Sequence, residues 1–422
     1  MVRLRGSVVA LVAMALLAVA CSGGTESHEA VTTEPAPTTT STEGSTTTTP
    51  RGIASTTEVP AVPVPAGPPS SSVWVHLFDD TLKSPEGVEA MLDEVAEAGI
   101  EAVIAQVARR HDAYFDSAYL PPTPDPALEP GFDVLDALVD GAHERGLQLH
   151  AWFVVAPAYH REYDDLTMPP GHVWLEHGPG SDDPWMTVSG DGTSSPDYFD
   201  VGLPAVHDHV AAMVVDIAGR YPVDGIHLDY VRYDGQQWGY HPDALAQFAL
   251  DTGRTDRPAP ADPDWSRWRT ERTAELIDRA AATLDQVRSD AMLSAAVIAG
   301  GEGPSAAGGF QRTRAATHMF QDWPSWLEGD AIDFVIAMAY VREHVPEHAG
   351  WFRQWVDFVE DLSQRYPGRV TIGIGAYLNS VDDGQTQVDL VREATGQVAV
   401  YSYQQDSADG PRGALLERCC RD

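Results

Sequence analysis

The feature that most constrains this chain is a regular alternation of short apolar strands with amphipathic helices, which starts at Val73 and continues almost to the C-terminus. Val73–Phe78 (VWVHLF) reads as the first strand. Ser84-Pro85-Glu86 then opens a helix, with Ser84 placed to accept from the first turn and Pro85 where its missing N–H would be unpaired anyway. Val88, Met91, Leu92 and Val95 form its apolar stripe and Gly99 ends it. Later strands are read at Ala102–Val107, Leu147–Val155, within Val223–Asp234 (VDGIHLDYVRYD), and at Leu293–Ile298, Ala331–Tyr340, Val370–Tyr377 and Val398–Tyr403. Between them the spacing predicts helices over 132–145, around Val206–Ile217, over 265–287 and 323–327, around Trp351–Leu362 and over 388–393. The only candidate for a last helix is the weak segment Gly413–Arg418. Eight strands in alternation with at least seven helices predict an α/β fold, a (β/α)8 TIM barrel over residues 73–422.

In such a barrel, chemistry sits at the C-terminal ends of the strands. Side chains alternate along a strand, so Ile226 and Leu228 face the helices while Gly225, His227 and Asp229 point inward. Asp229 then stands at the mouth as the candidate catalytic carboxylate, with Tyr230, Arg232, Tyr233 and Asp234 on the loop behind it. A purely structural alternative has Asp229 capping the strand and pairing with Arg232. The same alternation turns Trp74 and His76 inward, followed by Asp79, then Gln106 with Arg109, Arg110, His111 and Asp112 beyond it. His150, Trp152, Met338 and Tyr340 are inward too, and Tyr401 and Tyr403 share one face. A barrel core built only for stability is dominated by Val, Ile and Leu. Polar and aromatic groups at the strand ends instead suggest a sugar cleft, where rings stack on pyranoses and carboxylates bond hydroxyls. The loops after the second to fifth strands are long, and loops of that length in a compact domain are usually functional.

The formal net charge of −36 repels nucleic acid and anionic membrane, so neither is expected as a partner. There is no H-E-x-x-H, P-loop, dinucleotide glycine motif or G-x-S-x-G elbow, and no metal or cofactor is expected. Residues 1–21 read as a targeting segment, with Arg3 and Arg5 before an apolar run, Ser7–Ala20, too short for a comfortable span. Leu17–Cys21 (LAVAC) followed by Ser22-Gly23-Gly24 resembles a bacterial lipobox, which implies lipidation of Cys21 and anchoring to the cell membrane; secretion is the alternative. Residues 22–72, rich in Thr, Ser and Pro, read as a disordered tether with too little apolar content to offset ordering. The remaining cysteines, Cys419 and Cys420, suggest no disulfide framework; intermolecular pairing or a vicinal disulfide is the open alternative. The folded domain is expected to be a monomer.

Several stretches, in order, carry a family resemblance. They are QVARRHDAYFDSAYLP (Gln106–Pro121), AHERGLQLHAWF (Ala142–Phe153), YFDVGLPAVHDHV (Tyr198–Val210), VDGIHLDYVRYD with WGYHPDALAQF, QDWPSWLEGDAIDFVIAMAY (Gln321–Tyr340) and GIGAY (Gly373–Tyr377). Together they resemble the glycosyl-hydrolase-like family 10 of bacterial envelope proteins. The resemblance implies a (β/α)8 barrel, frequent lipid anchoring, and cleavage of peptidoglycan glycan strands. It places Arg110, Asp112 and Tyr377 among substrate-binding positions, beside His76, Asp79, Gln106, His150, Trp152, His227, Arg232 and Tyr340. This chain departs from the family pattern at Val154-Val155, at Ala337, and at Tyr230, where many members carry a second aspartate. Glycoside hydrolysis ordinarily uses two carboxyl groups. Glu343 is the preferred partner for Asp229, followed by Asp112, Asp406, Asp79 and Glu302. An N-acetyl group of the sugar is an alternative nucleophile. The competing expectation is a polysaccharide-binding lipoprotein without catalysis.

Overall fold

A computed structural model describes residues 63–159, 167–304, 309–404 and 412–419. The targeting segment, Cys21, the tether up to 62, Asp406 and Cys420 lie outside the described residues. In chain order the elements are β1 (Ser71–Val75), α1 (Pro85–Glu97), β2 (Ala102–Ala108), α2 (Val134–Glu144), β3 (Gln148–Val154), α3 (Val173–His177), β4 (Met186–Val188), β5 (Ser194–Phe199), α4 (Pro204–Arg220), β6 (Gly225–Asp229), α5 (Pro242–Thr252) and α6 (Pro263–Val287). They continue with β7 (Met292–Ile298), α7 (Arg314–Thr317), α8 (Trp323–Glu328), β8 (Phe334–Met338), α9 (Pro346–Arg365), β9 (Val370–Gly375), α10 (Val381–Thr395), β10 (Val398–Tyr401) and α11 (Arg412–Cys419). β1, β2, β3, β6, β7, β8, β9 and β10 pair in parallel and close on themselves through β1 and β10, giving the (β/α)8 barrel the alternation predicts.

Each barrel strand buries both faces. Outward residues such as Val73, Val103, Ala151, Ile226, Leu228, Val335 and Ile372 join the helices in one large core. Inward residues form a second core inside the barrel, with Trp74, Ile104, Trp152, Phe334, Ile336 and Ala399 as its body. Two glycines are dictated by these large inward side chains. A Cβ on Gly225 would run into the His150 ring, and one on Gly373 would lie 2.7 Å from the Trp74 ring. The glycines of VDGIH and GIGAY therefore make room for His150 and Trp74 rather than for a turn.

Two excursions were not apparent from the periodicity. The β3–α4 connection folds into α3 and a hairpin of β4 with β5, and the β6–β7 connection contains α5 before the long α6. Phe199, Leu203, Tyr240, Phe248, Trp265 and Trp268 pack these excursions into a satellite core beside the barrel. The ordered domain also begins earlier than the composition suggests. β1 starts at Ser71, and the Pro-rich approach is held because its carbonyls accept from two strand-end amides: Gln148 Nε2 donates to Pro65 O (2.8 Å) and Gly67 O (2.9 Å), and Gln397 Nε2 to Pro69 O (2.9 Å). The expected pairing of Tyr401 with Tyr403 on one face fails because β10 ends at Tyr401. Tyr403 turns out to the helices, where its hydroxyl donates to Glu94 (2.8 Å). Cys419, at the end of α11, is disulfide-bonded.

Candidate active site

The barrel mouth holds a cavity of about 250 Å³ at the ends of β1, β2, β3, β6, β7, β8 and β10. Asp229, the last residue of β6, reaches into it. Its Oδ1 accepts from the Tyr230 backbone N–H (2.6 Å) and from Arg232 Nη1 (3.0 Å), while no described residue donates to Oδ2. Burial raises the Asp229 pKa, and Arg232 and the Tyr230 N–H work against that rise. Arg232 is fixed in turn. Its guanidinium lies 3.8 Å over the Tyr230 ring and its carbonyl accepts from Tyr198 OH (2.8 Å). The strand-end aspartate is thus both ion-paired, as the structural alternative requires, and open to the cavity.

Tyr230 follows Asp229 directly, on the loop after β6. Its backbone is left-handed (φ 59°), a conformation that costs a bulky residue of order 1–2 kcal/mol and is kept only where the surroundings enforce it. This turn brings its N–H onto Asp229 and its ring under Arg232.

The walls are aromatic. Tyr340 stacks on Tyr401 (centroids 5.4 Å, 29°), Tyr377 stands edge-on to Tyr401 (6.2 Å, 72°), and Trp74 meets Tyr401 from below (6.1 Å). Phe78 and Tyr377, each about two-fifths exposed, flank the entrance. Gln106 and Trp152 also line the cavity. The Trp152 indole N–H is buried and has no hydrogen-bond partner among the described residues, so a ligand acceptor would satisfy it. Beneath this, His227 is completely buried. It accepts from Trp74 Nε1 (3.2 Å), so its Nδ1 carries the proton and donates to Ser294 Oγ (2.8 Å), which donates to Ile226 O.

Of the residues predicted from sequence, Asp229, Gln106, Trp152, Arg232, Tyr340 and Tyr377 meet at this cavity. His227 supports its floor. The others are placed elsewhere. His150 is sealed at the opposite end of the barrel, bonded to Gln148 Oε1 (3.0 Å) and packed on Phe334, and burial lowers its pKa to about 4. His76 is wedged between Phe78 and Tyr401 and accepts from the Phe78 N–H, so it buttresses the wall. Asp79 accepts from Thr81 N and holds a turn. Arg110 and Asp112 form a buried ion pair (2.7 Å), closed by Thr123 Oγ1 onto Asp112 (2.7 Å), which fastens the β2–α2 loop. Glu343 binds Arg353 (2.6 Å) and receives Gln387 Nε2 (3.3 Å); α9 and α10 claim it, and it is absent from the cavity wall. Glu302 is exposed on the loop after β7.

A second carboxylate stands further along the loop that follows Asp229. Asp234 closes the VDGIHLDYVRYD stretch. Burial raises its pKa, Arg232 opposes this, and Asp197 of the β4–β5 hairpin adds to the rise. Sequence reasoning missed Asp197 because it missed the hairpin. The usable signal was Asp191-Gly192, a turn dipeptide before the strand-like SSPDYF. A larger recess, about 490 Å³, lies in the β2–α2 loop, but three of its four carboxylates are engaged: Asp125 with Lys83 and Tyr114, Asp133 with Tyr221, and Asp116 with Arg220. Among the described residues no group of three or more His, Cys, Asp or Glu side chains is arranged to hold a metal.

The sequence model of the family glycosyl hydrolase-like 10 matches residues 70–389. The chain belongs to this family. Curated relatives include glycosyl hydrolase DigH of Escherichia coli K12, 26% identical over 333 residues (74% of this chain, 70% of the relative), and glycosyl hydrolase YngK of Bacillus subtilis 168, 22% identical over 295 residues (68% and 54%). Among solved structures, the fold resembles the PgaB (BpsB) glycoside hydrolase domain of Bordetella bronchiseptica (TM-score 0.54, 17% identity, covering 80% of this chain and 94% of that one). It also resembles the catalytic domain of a beta-amylase from Paenibacillus polymyxa (TM-score 0.55, 13% identity, 83% and 97%). At these identities the structures speak for the barrel alone, while the family match reaches from β1 into α10 and takes in the mouth.

Proposed function

We propose that the domain hydrolyses glycosidic bonds in a bacterial cell-wall polysaccharide, with peptidoglycan glycan strands as the substrate. The observation that carries this reading is the state of Asp229. One carboxylate oxygen is held by two donors, and the other is left free inside an aromatic-walled cavity at the end of a barrel strand. The two donors stabilise a carboxylate, which suits Asp229 to act as nucleophile or base. Asp234, five residues further along the same loop, is the candidate second carboxyl; burial and Asp197 raise its pKa and Arg232 and Arg314 oppose the rise. Tyr340, Tyr377 and Tyr401 offer ring faces for pyranoses, and the Trp152 N–H a donor for a hydroxyl or an N-acetyl carbonyl. In this reading residues 1–21 direct export, Cys21 carries the lipid, and the tether lets a monomeric domain search the wall from the outer face of the cell membrane.

A binding-only role draws on one observation: Asp229 is the sole carboxylate among the described residues lining the cavity. Incubating the soluble domain with purified glycan strands and following released sugars by mass spectrometry separates the two. Hydrolysis predicts new reducing ends that disappear in Asp229→Asn. Retention of strands without any release would favour binding and overturn the catalytic reading.

A further inference from the structure

Two buried histidines from different elements share a hydrogen bond outside the Asp229 cavity. His111 follows β2 in a left-handed turn (φ 60°) and His209 lies on α4; both are almost completely buried. His111 Nδ1 is 2.9 Å from His209 Nε2, and His209 Nδ1 is 2.7 Å from the hydroxyl of Tyr119, an exposed residue of the β2–α2 loop. The direction of this chain follows from its buried end. His111 Nε2 faces the carbonyls of Val155 and Pro157, although neither is within full hydrogen-bond geometry. Carbonyls only accept, so that nitrogen carries the proton. His111 Nδ1 then accepts from His209 Nε2–H, and His209 Nδ1 accepts from the Tyr119 O–H.

Each ring therefore donates at one nitrogen and accepts at the other. A second proton on His111 sets N–H against N–H and parts the rings. A second proton on His209 meets only the Tyr119 oxygen and leaves an imidazolium buried without a carboxylate. Among the described residues, none supplies a counter-ion. On the loop, Asp112 is committed to Arg110 and Thr123. On α3, His172 bonds the Arg110 carbonyl and His177 pairs with Asp183. Glu176 of α3 and Asp208 of α4 act on Tyr119, and the hairpin side presents the Phe199 and Trp185 rings. Burial first, and neighbouring imidazoles second, hold His209 down at about 3 and His111 well below its ordinary range.

The pair braces the hairpin beside the mouth. The Phe199 ring of β5 packs on His111 (5.4 Å) and His209 (6.5 Å). Tyr198, the residue before it, faces the other way along the strand. Its hydroxyl holds the Arg232 carbonyl (2.8 Å), and Arg232 pairs with Asp229 (3.0 Å). Contacts thus run from the histidines through β5 to the Asp229 ion pair.

We infer that His111 and His209 form an acid-released latch: neutral, they tie the β2–α2 loop to α4 and brace β5, and on taking up protons they let the loop and hairpin part from α4 while the barrel stays folded. The seat of Arg232 loosens with them. A histidine opened to water titrates near 6.5, and the closed pair resists protonation, so the latch is shut above that pH and opens as pH falls. Each pH unit below about 6.5 favours the opened form about tenfold per histidine, and about a hundredfold for the pair.

Hydrogen exchange of the full-length protein at pH 7.0 and 5.5, corrected for intrinsic rates, tests this without any substrate and so apart from the glycosidase reading. The readout is the protection of the Thr123, Ala158 and Phe199 amides, which bond to Ala113, Asp197 and Ala156 carbonyls within the latched segments, against that of amides in β7 and β8. The expected result is a fall of roughly 50- to 100-fold in these three amides, with β7 and β8 unchanged. His209→Gln removes one titrating ring. His111→Asn removes the other, with a side chain that tolerates the left-handed turn and an oxygen in place of Nδ1. Each should reduce the fall to about tenfold, and the double variant should abolish it. His150→Gln, which removes a buried imidazole at the opposite end of the barrel, should leave the fall intact. A parallel loss of protection in β7 and β8 would mean global unfolding and would overturn the latch. So would a fall that persists in the double variant or is absent from the parent.

Discussion

The two ends of the barrel use the same residue types in opposite ways. At the floor, most polar side chains are engaged, although the buried His150 Nδ1 and Gln397 Oε1 have no partner among the described residues. Asp224 accepts from Leu149 N and pairs with His143, Asp333 accepts from Leu293 N, and Gln148 and Gln397 hold the incoming chain. At the mouth, polar groups are left over: the Asp229 Oδ2 and the Trp152 N–H, among half-exposed tyrosines and a left-handed Tyr230. Buried polar groups are normally paired, so groups left unpaired in one place mark where a ligand completes the set. The difference teaches that residue type and inward orientation do not distinguish a catalytic group from a structural one. What distinguishes them is whether the fold already supplies a partner.

The largest effect on stability is expected where a charged group is fully engaged. Asp112→Ala strands Arg110 without its buried partner and should cost about 3–5 kcal/mol in urea unfolding. A loss under about 1 kcal/mol would show that this pair is not part of the engaged set. Gly225→Ala should cost about 1–3 kcal/mol by forcing a methyl group against His150, and its effect on KM should be small. Acid sensitivity follows from the buried imidazoles. Burial lowers His150 to about 4 and His209 to about 3, whereas the unfolded chain titrates near 6.5. Between those values the unfolded state binds more protons, so the stability from these groups is present above pH 6.5 and is lost as pH falls. A drop from pH 7 to pH 5 should remove of order 2 kcal/mol for each, and His209→Gln should flatten the slope of Tm against pH. His143, raised by Asp224, has the opposite sign, its stabilisation fading as pH rises through its folded pKa. The smallest change in stability belongs to Tyr377→Ala at the mouth, within about 0.5 kcal/mol, with KM for glycan strands rising roughly 3- to 10-fold. A large stability loss without a KM change would erase the contrast between the two ends.

The barrel was legible because its signals are local. Strand alternation, Ser84-Pro85 and the terminal glycines each act within a few residues, and their order leaves little choice of topology. Asp229 was legible for the same reason, as the last inward residue of a short strand. Its partner was not. Glu343 follows β8 at a suitable distance along the chain, but Arg353 comes from α9 and Gln387 from α10, and only tertiary structure shows that they claim it. Arg110 and Asp112 misled similarly, since a buried ion pair and a binding pair look alike in sequence. Asp197 was hidden in a hairpin within a loop.

The most direct test sets Asp229→Asn beside Glu343→Gln on the same glycan strands, with kcat/KM and Tm measured for both. The unengaged carboxylate should be the reactive one. Asp229→Asn is predicted to lose about 10²- to 10⁴-fold in kcat/KM with the fold retained, while Glu343→Gln stays within a few-fold of the parent. An active Asp229→Asn together with an inactive, fully folded Glu343→Gln would contradict the account.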